Sequence, residues 1–78
     1  MEKGMVKENA QRLVDQLGKY ETVVLGYNCF KTAVNENLNK EIRIPTLETA
    51  ISEYENQNFH DIAEAIYELL KEVKAGRA

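Results

Sequence analysis

The last third of the chain carries the pattern that most limits the possible folds. Between residues 59 and 73, apolar side chains recur every three or four positions: Phe59, Ile62, Ala63, Ile66, Leu69, Leu70 and Val73. An α-helix repeats every 3.6 residues, so this spacing places all of them on one face, whereas a half-buried strand would alternate strictly. The pattern predicts an amphipathic helix packed against the rest of the chain. Asn58 is a favourable N-cap residue and predicts where this helix begins.

Three earlier segments show the same helical spacing. The apolar positions of the first helix are Val6, Ala10, Leu13, Val14 and Leu17, and Gly18 is a natural stop after them. A second helix is predicted from about Glu21 to Leu38, on Val23, Tyr27, Phe30, Val34 and Leu38. The pattern leaves open whether residues 22–25 are helical or extended. The third helix carries Leu47, Ala50, Ile51 and Tyr54.

The segment from Asn39 to Pro45 interrupts this helical pattern. Ile42 and Ile44 alternate around Arg43, which predicts an extended leg with both isoleucines turned inward. Pro45 suits the entry to the third helix. The sequence therefore predicts an all-α fold, a small bundle of about four helices with a short extended leg between helices 2 and 3.

Length and composition predict one helical domain over residues 1–78, with an ordered core at about 5–74 and a frayed tail from residue 75. The 78 residues are 44% hydrophobic and 29% charged, which is typical of folded globular chains. We find neither the apolar run of a signal peptide nor an apolar segment of about 20 residues. A cytoplasmic protein is the expectation, and the richness in Lys, Glu, Asn and Ile suggests a bacterial or phage genome.

The only cysteine, Cys29, lies in the sequence "GYNCF" and is therefore the one candidate for a thiol nucleophile. A nucleophile elbow needs small residues around the nucleophile, but Tyr27 and Phe30 crowd this position. The only histidine, His60, is far along the chain, so Cys29 is interpreted as a half-buried structural thiol. His60 and Glu64 stand one helical turn apart but are too few to form a zinc site. We expect no enzyme activity, catalytic residue, metal or cofactor.

Some large apolar residues fall outside the stripes that would build the core. Val24, Leu25 and Tyr67 are the main examples, and such residues often belong to association surfaces. Together with the small size of the chain, they favour a homo-oligomer, most simply a two-fold dimer, although a different protein partner fits equally well. The expected function is a small non-enzymatic interaction or regulatory protein, of adaptor or inhibitor type.

The second half of the chain is acidic, within a net charge of −3 for the whole chain. Residues 44–78 contain three Lys or Arg and seven Asp or Glu. The candidate acidic docking face consists of Glu48, Glu53, Glu55, Asp61, Glu64, Glu68 and Glu72. Such a face could steer a basic partner, or it could simply be the solvated side of amphipathic helices.

The alternative function is a DNA-associated regulator with a helix-turn-helix-like element at about residues 10–35. The exposed side of the second helix would offer Asn28, Lys31, Thr32 and Asn35 to bases or phosphates. The mildly acidic balance of the chain argues against general affinity for a polyanion. Nucleic acid is therefore the second expected partner, after another protein, and no membrane contact is expected.

Overall fold

The computed structural model describes residues 5–77 and contains four α-helices in that range: α1 (Val6–Leu17), α2 (Val24–Ala33), α3 (Lys40–Asn56) and α4 (His60–Lys74). A 3₁₀ turn (Glu21–Val23) leads directly into α2, so residues 22–25 are helical. No strand occurs in the described part of the chain. The predicted all-α small bundle is confirmed. None of these helices combines the length and apolar character needed to span a bilayer.

Neighbouring helices follow the spatial order α1, α4, α3, α2. The Cα atoms extend 31 × 26 × 16 Å, so the bundle is flattened. The predicted apolar face of α4 is buried, apart from Phe59, which is partly buried just before the helix. Tyr54 of α3 and Phe30 of α2 are the largest side chains sealed in the core. Because burial of each large apolar side chain contributes about 1.5–3 kcal/mol, this shared core is the main stabilising element.

The predicted extended leg is wrong, because α3 already begins at Lys40. Helical geometry turns Arg43 inward with only 4% exposure, leaves Ile44 partly buried, and turns Ile42 outward with 48% exposure. The Arg43 guanidinium is accommodated because its Nε donates a hydrogen bond of 2.8 Å to the carbonyl of Ala33. That carbonyl belongs to the last turn of α2, where helix carbonyls lack partners within their own helix.

Pro45 lies inside α3 rather than at its entry. A proline has no N–H to offer the carbonyl one turn earlier, so α3 lacks one hydrogen bond at Glu41. Two threonine hydroxyls flank this point and donate to helix carbonyls, Thr46 to Ile42 at 2.6 Å and Thr49 to Pro45 at 3.0 Å. The helix nevertheless continues past the proline, although the local sequence alone predicts a boundary at Pro45.

The turn between α3 and α4 uses Asn58 differently from the prediction. Asn58 has a φ of 66°, in the left-handed region, and terminates α3 instead of capping α4. The N–H of Phe59 donates to the carbonyl of Tyr54 at 2.9 Å, and that of Asn58 to Glu55 at 3.0 Å. These two bonds define a Schellman motif, and the Phe59 ring packs edge-on against Tyr54 at a centroid distance of 6.2 Å.

The end of α4 has the same type of closure, with Gly76 at a φ of 80°. The N–H of Arg77 donates to the carbonyl of Glu72 at 2.9 Å, and that of Gly76 to Val73 at 3.1 Å. The Arg77 guanidinium also contacts both carboxylate oxygens of Glu72, at 2.6 and 3.0 Å. Residues 75–77 thus close the helix in the structure, Ala78 lies outside the described residues, and fraying of this tail stays a prediction.

Two predicted helix ends also differ from the structure. Leu17 belongs to the predicted apolar stripe of the first helix, but it is 45% exposed in the last turn of α1. The buried residue there is Gly18, whose carbonyl accepts a hydrogen bond of 2.8 Å from the Tyr54 hydroxyl. The second helix ends at Ala33 instead of Leu38, since the following residues form turns. In them, the Asn35 carboxamide accepts a hydrogen bond from the Asn37 N–H at 3.0 Å.

Candidate interaction surfaces

The outward side of α2 carries two neighbouring apolar residues in contact with solvent. Val24 is 54% exposed and Leu25 is 52% exposed. They face outward because Gly26, Phe30 and Ala33 form the buried stripe of the helix. The two α2 residues proposed as an interface from the sequence are therefore accessible.

The residues proposed to bind nucleic acid lie on this same surface. Asn28, Lys31 and Thr32 are exposed, and the helical repeat places them beside the two apolar residues. We call the surface formed by Val24, Leu25, Asn28, Lys31 and Thr32 the α2 face. Asn35, the fourth predicted nucleic-acid residue, is exposed but lies beyond the end of the helix.

The only charged group on the α2 face has partners within the chain. Lys31 Nζ lies 3.4 Å from Asp15 Oδ1 of α1 and 5.8 Å from the centre of the Tyr27 ring. The other members of the face carry no charge, so the surface is nearly neutral. Such a surface is closer in chemistry to the centre of a protein interface than to a phosphate-binding site.

Helix packing around α2 differs from that of a helix-turn-helix. In that motif, two consecutive helices joined by a turn of 3–4 residues form the unit. Here α1 packs against α4, α2 packs against α3, and residues 18–23 connect α1 to α2. The helix packing therefore gives less support to the DNA-binding alternative than the sequence did.

A groove between α3 and α4 has a volume of about 300 Å³. We call it the Tyr67 groove, and its lining residues are Ile51, Glu55, His60, Ala63, Glu64 and Tyr67. Tyr67 is 50% exposed, as predicted for an interface candidate, but it contributes to this groove on α4 and not to the α2 face. His60 Nδ1 lies 2.7 Å from Glu55 Oε2 across the turn that joins the two helices.

A second hollow of about 240 Å³ lies on the other side of His60. Its lining residues are Leu17, Asn58, Phe59, His60, Asp61 and Ile62. Tyr20, which is 57% exposed, stacks on the Phe59 ring at a centroid distance of 6.0 Å. Sequence reasoning missed the exposure of Leu17 and Tyr20, although the position of Leu17 in the final turn of a helix was an available signal.

The predicted acidic docking face is divided by internal ion pairs. Glu72 is only 9% exposed, so it does not belong to the face. Four of the predicted carboxylates have basic partners within 4 Å: Glu48 with Lys74, Glu55 with His60, Glu68 with Lys71, and Glu72 with Arg77. Asp61 and Glu64 are exposed and take part in no ion pair within residues 5–77. Within the predicted face, the exposed carboxylates without an ion pair are therefore Asp61 and Glu64 in the first turns of α4, while Glu53 is partly buried and also takes part in no ion pair in this range.

The Cys29 thiol has the surroundings of a structural residue. It is partly buried against the core, and burial together with the charge of Glu53 raises its pKa. A nucleophilic cysteine needs the opposite shift, since the thiolate is the reactive form. His60, the histidine considered as its base, is instead paired with Glu55. Among the described side chains, no group of three or more His, Cys, Asp or Glu could hold a metal ion.

The structure thus separates two surfaces, the neutral α2 face and the acidic surroundings of His60 with the Tyr67 groove. A functional assignment has to come from the chemistry of these surfaces. No protein-family model, curated protein or solved structure matches this chain.

Proposed function

We propose that this chain is a small non-enzymatic protein-binding protein, of adaptor or regulator type, which associates through the α2 face. The observation that carries the proposal is the pair Val24 and Leu25, each about half exposed and adjacent on one short helix. A chain of 78 residues has little apolar surface to spare, and two adjacent exposed aliphatic residues on one helix are typical of an association surface.

The charge of the α2 face supports a protein partner over a nucleic acid. Binding to phosphates depends on several cations that can displace counterions. Lys31 is the one cation of this face, and Asp15 already lies beside it. The centre of a protein interface is poor in charge and rich in apolar groups, which is the composition found here.

A second copy of the same chain is the partner that this face fits best. In a two-fold dimer the same surface lies on both sides of the interface, so a charged surface would meet its own charge. A nearly neutral helix face avoids that repulsion and can bury Val24 and Leu25 against their symmetry mates. We therefore propose a homodimer formed by two α2 helices.

The test is the molar mass in solution of wild type and Leu25→Asp, measured by light scattering coupled to size exclusion. We expect a dimer for wild type and a monomer for the variant, because a carboxylate would be buried in the interface. Ile42→Asp is the matched control, since Ile42 is an equally exposed aliphatic residue on α3 and its variant should remain dimeric. A monomeric wild type, or a dimeric Leu25→Asp, would refute the assignment.

The same chromatography distinguishes the proposed protein partner from the alternative, a DNA-associated regulator. A wild-type peak with excess absorbance at about 260 nm, which is lost in high salt and in Lys31→Ala, would favour nucleic acid as the occupant of the α2 face. Under the present proposal, Lys31→Ala retains the mass of wild type and the peak carries no nucleic acid.

A further inference from the structure

We propose that the Tyr67 groove binds a basic amphipathic segment of a second protein, with an apolar side chain in the groove and Lys or Arg residues against its acidic walls. This inference rests on the proposed function in one respect, that the chain works by binding proteins. It concerns a different surface from the α2 face and names the chemistry of the partner.

The groove has the shape and floor of a site for one apolar anchor. Ile51, Ala63 and Tyr67 supply apolar surface, and the Tyr67 ring is half exposed beside it. A volume of about 300 Å³ is at the lower end of the range for ligand pockets. It suits a single large side chain of a docked helix better than an enclosed small molecule, because the site is open along α3 and α4.

The walls of the groove select a cationic partner. Glu55 and Glu64 line the groove, and Asp61 lines the adjoining hollow. No Lys or Arg is among the lining residues of either hollow. Lys71 lies over the Tyr67 ring at 5.3 Å, and its Nζ is 3.1 Å from Glu68 Oε2, so this neighbouring cation already has a carboxylate partner on α4. Guanidinium and ammonium groups are the natural partners of such exposed carboxylates.

His60 connects the two hollows, since it lines both of them. A helix that lies across His60 can therefore place one apolar residue against Tyr67 and another against Leu17 and Phe59. This arrangement corresponds to the recognition of amphipathic helices through anchors spaced along one side. The carboxylates on both sides of His60 would then meet basic residues flanking those anchors.

Charge argues against a second copy of this chain in the Tyr67 groove. Residues 44–78 carry three basic and seven acidic side chains, and the whole chain has a net charge of −3. Two such surfaces would repel each other, whereas a basic segment would be attracted and oriented. The occupant is therefore a different protein, and the α2 face remains available for the dimer.

The experiment is fluorescence anisotropy with labelled synthetic peptides on the full chain. The probe is an amphipathic helix of about 15 residues with Leu and Phe on one face and Lys and Arg on the other, long enough to form a helix on binding. Two peptides serve as references, one with every Lys and Arg replaced by Glu and one with the basic sequence scrambled. We expect binding of the probe at an ionic strength of about 0.15 M and much weaker binding of both references.

Two variants locate the site. Tyr67→Ala should weaken binding of the probe by about 30-fold, because it removes the aromatic wall that receives the anchor. Glu64→Lys should weaken it by about tenfold through charge reversal at an exposed position. Glu41→Lys is the matched control, since Glu41 is an exposed glutamate in the first turn of α3 and is absent from the lining of both hollows. Circular dichroism checks that all variants are folded.

Equal binding of the scrambled or acidic peptide, or unchanged affinity in both groove variants, would overturn the proposal. Molar mass is measured on the same samples to separate this result from the proposed dimer. If the chain is a dimer that does not bind the probe, the proposal for the Tyr67 groove is refuted and the proposal for the α2 face stands. If the chain is a monomer that binds the probe and shows the expected pattern among the variants, the proposed α2 dimer is refuted and the proposal for the Tyr67 groove stands.

Discussion

At the scale of single residues, polar groups buried between helices connect parts of the chain that are distant in sequence. The Tyr54 hydroxyl of α3 reaches the carbonyl of Gly18 after α1, and the Arg43 guanidinium of α3 reaches the carbonyl of Ala33 in α2. Each of these carbonyls lies at the end of a helix, where partners within the helix are missing. Removal of either side chain therefore leaves a carbonyl without the hydrogen bond that it has in the folded chain.

Tyr54→Phe should lower the free energy of unfolding by about 1–3 kcal/mol, because the buried carbonyl of Gly18 loses its donor. The ring and its packing are retained, so the change isolates the hydroxyl. Urea unfolding followed by circular dichroism measures the effect. Tyr67→Phe is the control, since Tyr67 is half exposed and its hydroxyl has no such role in the described structure. Equal stability of Tyr54→Phe and wild type would contradict the assignment.

The same tyrosine predicts a loss of stability at alkaline pH. Burial, and next the nearby Tyr27 and Asp15, raise the pKa of Tyr54 from 10.0 to about 12. The raised pKa means that the neutral form is favoured in the folded state, so its contribution is complete below pH 10 and is lost as the pH rises toward 12. Urea midpoints across this interval should fall more steeply for wild type than for Tyr54→Phe. Parallel curves for the two proteins would refute the prediction.

Arg43→Ala should lower the free energy of unfolding by about 2 kcal/mol, since a hydrogen bond from a charged group and the packed stem are both removed. Arg12→Ala is a suitable control, because Arg12 is exposed and bonds only locally to Asn9, at 2.7 Å. Thermal unfolding of both variants measures the difference. A melting temperature for Arg43→Ala as high as that of the control would show that the buried guanidinium does not stabilise the fold.

At the scale of secondary-structure elements, the ends of α3 and α4 depend on left-handed residues and the middle of α3 tolerates a proline. Asn58 and Gly76 each allow a Schellman closure at positive φ. Pro45, in contrast, leaves α3 one hydrogen bond short. These three positions predict opposite effects of substitution by alanine.

Asn58→Ala should destabilise the chain by about 1 kcal/mol, because a Cβ-bearing residue without a local polar side chain disfavours the left-handed region. Asn58→Gly should be neutral or stabilising, since glycine adopts positive φ readily. Gln57→Ala, at a φ of −99°, provides the neighbouring control. Chemical unfolding ranks the three variants, and an Asn58→Ala as stable as Asn58→Gly would be inconsistent with the closure described here.

Pro45→Ala should stabilise the chain by about 1–3 kcal/mol, since an N–H is restored for the carbonyl of Glu41 inside an exposed part of α3. The melting temperature should rise accordingly. A lower melting temperature would contradict this prediction and would mean that Pro45 stabilises the folded chain.

At the scale of the whole molecule, the helix order α1, α4, α3, α2 places the two candidate surfaces on different elements. The α2 face belongs to the helix at one side of the bundle, whereas the Tyr67 groove is shared by α3 and α4. Under the two proposals, dimerisation through the α2 face and binding of a basic segment in the Tyr67 groove therefore do not compete for the same surface.

If the α2 dimer forms, the melting temperature of wild type should increase with protein concentration, because association stabilises the folded state by mass action. Leu25→Asp should melt at a temperature that does not depend on concentration. Differential scanning calorimetry over a hundredfold range of concentration distinguishes the two behaviours. Wild-type melting without concentration dependence would contradict a dimer coupled to folding.

Local periodicity in the sequence determined the helical class of this protein, the buried face of α4 and the exposure of Val24, Leu25 and Tyr67. These features depend on spacing along a single helix, and an α-helix imposes that spacing without help from its neighbours. Helix ends were predicted less well, since Pro45 and Asn58 have more than one local interpretation.

Only the tertiary structure decided where the charged residues and the surfaces lie. The burial of Arg43 is compensated by the carbonyl of Ala33 in a neighbouring helix, and the spacing of apolar residues does not reveal that partner. The burial of Glu72 is compensated by Arg77, which the closure at the end of α4 brings back toward it. Leu17 is exposed, whereas the next residue, Gly18, is buried and accepts a hydrogen bond from Tyr54 of a distant helix. The Tyr67 groove likewise exists only because α3 and α4 pack together. The cost of burying a polar group and the shape of a surface both depend on what distant parts of the chain supply.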